Sequence, residues 1–146
     1  MGKAGTGSKR TRPVSDSELR NSAKVLTALK MKKLALYGPY PKQREFHDLG
    51  STKRERALLA GNQLGKTWSA GNELAYHLTG EYPEWWKGRR FVKPIQACAS
   101  NTNNETVRDN PQRILLGKNG EWGTGTVPRS AVAKKPTMSR GFPDLV

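Results

Sequence analysis

Cysteine is nearly absent from this chain: Cys98 is the only one in 146 residues. A single thiol excludes an internal disulfide and any zinc site built on cysteines, and it fits a reducing cytoplasm. Long apolar runs are missing too. No stretch approaches the roughly 18 consecutive apolar residues that a membrane span requires, and the N-terminus has no apolar signal core. A soluble protein with no membrane partner is therefore expected. Acids are scarce, 12 against 26 lysines and arginines, for a formal net charge of +14 and a pI near 10.3. Such an excess says little about fold and much about partners, with nucleic acid favoured over an anionic membrane surface. The length fits one domain.

What is present is a motif. Ala60 to Thr67 reads AGNQLGKT and fits the phosphate-binding loop [A/G]-x-x-x-x-G-K-[S/T]. Arg56-Ala57-Leu58-Leu59-Ala60 before it suits a short buried strand. Thr67 to Leu78 after it carries Gly71, Leu74, Ala75 and Leu78 at helical spacing, with Gly80 as a stop. A strand–loop–helix surrounds an anion with backbone N–H groups and a helix N-terminus, where partial positive charge favours phosphate. In that reading Ala60, Gly61, Asn62, Gln63, Leu64 and Gly65 form the cradle, Lys66 reaches the β- and γ-phosphates, and the Thr67 hydroxyl ligates Mg²⁺. The competing reading is an ordinary glycine-rich turn with Lys66 solvated.

Around the motif the chain divides in two. Residues 1–36 form a basic arm and helix, nine Lys or Arg against Asp16 and Glu18. Residues 1–14 have too little apolar surface to order themselves. Ser15 and Glu18 have capping-box spacing, and Leu19, Ala23, Leu26 and Leu29 follow at helical intervals until Gly38-Pro39. Residues 37–146 open with a short helix near Pro41. Past the loop, Tyr82, Trp85 and Trp86 stand beside Lys87, Arg89 and Arg90. They suit either base stacking or the edge of a core. Ile95 to Ala99 reads as a second buried strand. A helix from about Thr102, with Glu105 in capping-box position and Pro111 as a kink, runs to a stop at Gly117.

The order β-α-β-α predicts the front half of an α/β nucleotide-binding fold, an incomplete P-loop sheet of parallel strands. Hydrolysis would also need an apolar strand ending in Asp, to hold Mg²⁺, followed by a Glu that orients water. Glu73, Glu81, Glu84, Glu105, Asp109, Glu121 and Asp144 are the acids after Thr67, and none follows a run of four apolar residues. The phosphate cradle is present and the water-activating half is not, so the chain reads as truncated.

From Tyr40 to about Val146 the sequence resembles the start of the large terminase subunit of tailed bacteriophages. The matching pieces are Pro41-Lys42-Gln43-Arg44-Glu45-Phe46, LAGNQLGKT at Leu59 to Thr67, His77-Leu78-Thr79-Gly80, Trp86-Lys87-Gly88, Asn104-Glu105-Thr106-Val107 and Gln112-Arg113-Ile114-Leu115. The resemblance implies a RecA-like ATPase with ATP and Mg²⁺ as cofactors, followed by an RNase H-like nuclease domain. It implies double-stranded viral DNA, a small terminase subunit and a portal protein as partners, a homo-oligomeric ring and the host cytoplasm. Gln43 would read the adenine edge, since an amide accepts and donates together. No arginine stands in Asn62-Gln63-Leu64, which leaves Arg108 and Arg113 as candidates for the cis-arginine. A helicase or other P-loop NTPase, or a non-catalytic prophage remnant that binds DNA through its basic charge, are the alternatives.

Overall fold

Local backbone chemistry sets the helix ends. In the computed structural model, which describes residues 15–30, 32–118, 120–133, 137–139 and 142–144, helix α1 spans Asp16–Lys30. The Ser15 N–H donates to Glu18 Oε2 at 2.8 Å and the Glu18 N–H donates to Ser15 Oγ at 3.3 Å. This is the reciprocal capping box expected from the spacing. Helix α2 (Pro41–Asp48) starts at Pro41, whose missing N–H costs nothing there. Helix α3 (Lys66–Thr79) ends at Gly80, which adopts φ +72° and donates its N–H to the Tyr76 carbonyl. The expected disorder of residues 1–14 lies outside the described residues.

The parallel sheet of an incomplete RecA-like P-loop fold is not there. Residues 56–60 and 95–99 form no ladder, and Leu59 is 92% exposed. The one sheet among the described residues is an antiparallel pair, β1 (Thr137–Ser139) and β2 (Phe142–Asp144), with Met138 opposite Pro143. An apolar run becomes a strand only when a neighbouring backbone takes its N–H and C=O groups, and neither run has such a neighbour among the described residues.

Helices and aromatic rings build the core instead. Leu34, Tyr37, Ala75, Tyr76, Trp86 and Val127 are buried together, with Trp68, Tyr82, Trp85 and Leu115 packed against them. The Tyr76 hydroxyl donates to the Leu34 carbonyl at 3.2 Å, which ties α3 to the segment after α1. Trp85 and Trp86 therefore serve the core edge rather than offering faces to bases. A Cβ on Gly88 would collide with the His47 carbonyl, so only glycine lets that loop close on α2. The described side chains of α1 are all exposed, Leu19, Val25, Leu26 and Leu29 included.

The second helical run is broken as its proline requires. Helix α4 (Asn104–Val107) passes through a π turn at Arg108–Gln112 into α5 (Arg113–Leu115). Pro111 has no N–H to give the preceding turn, and the wider turn accommodates that loss. The cap differs from the expected one. Asn103 Oδ1 accepts from the Thr106 N–H at 2.9 Å, and Thr106 Oγ1 accepts from the Asn103 N–H, so Glu105 takes no part. Beyond α5 the chain folds back on its last carbonyls. Thr126, Val127 and Gly123 donate N–H groups to Ile114, Leu115 and Leu116 at 2.8–2.9 Å. At the crossing of α3 with α5, a Cβ on Gly71 would lie 2.5 Å from Ile114 Cγ2.

Candidate functional site

The loop from Ala60 to Thr67 is shaped by two left-handed residues. Gly65 at φ +71° is the N-cap of α3, and Gln63 holds φ +62° without glycine's freedom. Backbone held in that region by a residue with a Cβ costs on the order of 1–3 kcal/mol, a strain that gathers at ligand sites. Gly65 is doubly constrained, because a Cβ there would also lie 3.0 Å from Gln43 Nε2. Lys66 opens α3 and turns its ammonium back over the loop, where Nζ donates to the Ala60 and Gly61 carbonyls, each at 2.7 Å. The first intrahelical bond runs from the Ser69 N–H to the Gly65 carbonyl at 2.8 Å. The N–H groups of Lys66, Thr67 and Trp68 come before it and belong to the open end of the helix. Thr67 is exposed in that first turn.

Beside the loop lies a cleft of about 480 Å³. Gln63, Leu64 and Gly65 of the loop form one wall and Trp68 of α3 another. Lys33, Leu36, Tyr37, Gly38, Tyr40 and Gln43 close the far side. Gln43, 21 residues upstream of Leu64, is buried where the two halves meet. Its Nε2 donates to the Leu64 carbonyl at 3.2 Å and the Gly65 carbonyl at 3.4 Å. Its Oε1 accepts from the Tyr40 N–H at 3.0 Å and the Tyr37 hydroxyl at 3.4 Å. Every hydrogen-bonding position of the amide is engaged. The residues singled out in the sequence, Gln43 and Ala60 to Thr67, are thus brought together. Arg108 and Arg113 sit on the π turn and α5, which pack against α3, but neither lines the cleft, and Arg108 is bonded to Asp109.

Behind the cleft is a buried polar hub that sequence reasoning missed. The Tyr37 hydroxyl lies 3.0 Å from His47 Nε2 and 3.2 Å from Ser69 Oγ, and Ser69 Oγ lies 3.1 Å from that same His47 nitrogen. His47 Nδ1 meets Glu73 Oε2 at 2.7 Å. Arg56 donates to both Glu73 oxygens and to the Phe46 carbonyl. His77, one turn on from Glu73, stands 3.5 Å from its Oε1. Burial pushes the Glu73 carboxyl up. Hydrogen bonds from His47, His77 and Arg56, together with the Arg56 charge, overcome that and hold it well below the ordinary carboxylate range. Burial raises Tyr37 as well, with Glu73's charge adding to the effect and the Ser69 bond opposing it.

The line Ser69–His47–Glu73 has the connectivity of a nucleophile, a base and an orienting acid. Ser69 and His47 are fully buried, however, so no substrate reaches them and the line is an internal brace. The hub also corrects the face of α3 read from the sequence. The buried side carries Ser69, Asn72, Glu73, Ala75 and Tyr76, while Leu78 of the expected apolar stripe is 46% exposed. A sign of this was present in the chain: Glu73 and His77 stand four apart, each directly after a residue of the buried face, Asn72 and Tyr76. No group of three or more His, Cys, Asp or Glu suited to a metal occurs among the described residues. An ion at this site would rest on the Thr67 hydroxyl and on the ligand's own phosphates.

No protein-family model matches the chain, and no solved structure matches it. The large terminase subunit of Salmonella phage P22 is 41% identical to it over 125 residues, a stretch that takes in 75% of this chain and 25% of that protein. The chain spans about a quarter of the length of the relative it matches. At that level of identity across three quarters of its residues, this chain belongs to the large terminase subunit family.

Proposed function

We propose that the chain binds ATP with Mg²⁺ at Ala60 to Thr67, as the nucleotide-binding part of a motor that packages viral DNA. The observation that carries this reading is the pose of Lys66. Its ammonium is bonded to the Ala60 and Gly61 carbonyls, folded back over the loop whose Gln63–Gly65 stretch lines the cleft. A phosphate arriving at the open N-terminus of α3 meets that cation together with unpaired backbone N–H groups. The Thr67 hydroxyl, exposed in the same turn, would hold Mg²⁺, whose charge would neutralise the phosphates. Tyr37, Tyr40 and Trp68 give the adjoining cleft an aromatic lining suited to a purine. Gln43 borders both spaces and reads adenine by exchanging its longer bonds, those of 3.4 Å, for the base edge.

The substrate of the complete motor is double-stranded viral DNA, with the small terminase subunit and portal protein as partners in the host cytoplasm. Family membership and the net charge of +14 support the DNA part of that reading. Calorimetric titration with ATP·Mg²⁺ tests the nucleotide site. Removing a charged donor to phosphate costs about 1.5–3 kcal/mol, so Lys66→Ala should weaken binding by about tenfold to more than a hundredfold. Equal affinity of wild type and Lys66→Ala, with both folded by circular dichroism, would overturn it.

A further inference from the structure

The stretch after α3 presents cations on a rigid support. Trp85 to Lys93 contains Lys87, Arg89, Arg90 and Lys93 and no carboxylate. Arg44 of α2 joins them in space, its guanidinium 5.0 Å from the centre of the Trp85 ring. Arg89 lies 5.7 Å from the Phe91 ring, and Arg90 lies 5.5 Å from the Tyr82 ring while donating to the Trp86 carbonyl at 3.2 Å. All five cations are exposed, and none has a carboxylate partner among the described residues. The rings beneath them are held in turn: Trp86 is buried, and the Tyr82 hydroxyl accepts the Phe91 N–H and meets His77 Nδ1.

Five unpaired charges this close together repel one another, and that repulsion is relieved by a polyanion. A guanidinium already stacked on a ring has less freedom to lose on binding, which suits it to fixed phosphates. The chemistry of the support narrows the partner. Guanidinium groups already cover the outer faces of Trp85, Phe91 and Tyr82, and Trp86 is buried, so bases find no open ring to stack on and single strands gain no advantage. Val92 is the one fully exposed large apolar residue of the stretch, too little to enter a bilayer or to form the apolar centre of a protein interface. We propose that Arg44, Lys87, Arg89, Arg90 and Lys93 form a ribbon that docks the phosphate backbone of duplex nucleic acid without regard to sequence. The proposal rests on the DNA part of the function proposed for the chain and assigns it a surface separate from the basic arm.

The test uses the full chain and a fluorescent random-sequence duplex, with anisotropy titrations at a series of salt concentrations. Removing one cation from a phosphate should make the slope of log K against log salt shallower by about 0.9. Lys87→Ala/Lys93→Ala, which leaves the rings untouched, and Arg89→Gln/Arg90→Gln should each shift it by about 1.8, with a single strand of the same sequence bound no tighter than the duplex. Melting temperatures close to wild type establish that the lysine variant is folded. Duplex binding by wild type with an unchanged slope in both variants overturns the ribbon while leaving DNA binding to the chain intact. Absence of duplex binding by wild type overturns the DNA reading and the ribbon with it. Loss of binding to phosphatidylserine vesicles with duplex binding retained would assign the ribbon to a membrane surface and overturn the proposal.

Discussion

The two ends of the working half of α3 solve opposite problems. At Gly65–Thr67 the backbone is open, its first N–H groups are unpaired, and one cation closes on two carbonyls. Two turns later, at Glu73, a carboxylate is enclosed and met by His47, His77 and Arg56. The first end keeps its polar groups available and the second leaves almost none available. Binding calls for the former arrangement and rigidity for the latter, and a helix that carries both can hold a strained loop without yielding. Substitutions at the two ends should therefore separate affinity from stability.

The largest effect is expected at the enclosed end. Glu73→Ala leaves Arg56 without its counter-charge and His47 Nδ1 without its partner, and breaking a buried pair in this way typically costs about 3–5 kcal/mol. Urea denaturation should show that loss, whereas Lys66→Ala should unfold close to wild type. Equal destabilisation by the two variants would erase the distinction between the ends.

Acid sharpens the same contrast. The folded state holds the Glu73 carboxyl below its ordinary value, about 4.3 in an unstructured chain. Its contribution to stability is therefore present in full above that pH and is lost as pH falls below it, through the lower folded value. His47, His77, Arg56 and Tyr37 are the titratable or charged groups that face it. Midpoints of denaturation from pH 7 to pH 3 should fall more steeply for wild type than for Glu73→Gln. Parallel profiles would remove Glu73 from the account of acid lability.

At the open end the expected effects are smaller and are read in ligand. Gly65→Ala places a Cβ at φ +71° and against Gln43 Nε2, at a cost of about 1–2 kcal/mol. The loss should appear as weakened ATP binding with a melting temperature only slightly lowered. Gln43→Ala should weaken ATP more than GTP, and an equal factor for both would remove base reading from this residue. The smallest change belongs to neither end. Ser15→Ala removes the α1 cap and should reduce helicity by circular dichroism at a local cost of about 1 kcal/mol, leaving the main melting transition in place.

Which features were legible in the sequence follows from how far their causes reach. The Ser15–Glu18 box, Pro41 and Gly80 act over three or four residues, and each marks its helix end as expected. The loop motif and Gln43 were legible as a pattern, and Gln43 lines one cleft with Gln63, Leu64 and Gly65 of that loop. The strands at 56–60 and 95–99 were misread because a strand is defined by its neighbour, and apolar composition names no neighbour. The hub was hidden for a related reason. Glu73 gains its partners from 26 and 17 residues away, so a helical face carrying Ser69, Asn72 and Glu73 looks solvated until His47 and Arg56 arrive.

The contact of Gly71 with Ile114 has a mechanical consequence. Where two helices touch with no room for a methyl group, they can tilt about the contact but cannot slide past it. At about 1.5 Å per residue, the fulcrum lies about 8 Å from the Lys66 end of α3 and about 12 Å from the Thr79 end. Glu73 and Tyr76, tied to His47, Arg56 and Leu34 just beyond that contact, keep even such a tilt small. The loop at one end of α3 and the arginines stacked on Tyr82 and Phe91 near the other are thus held at a fixed spacing.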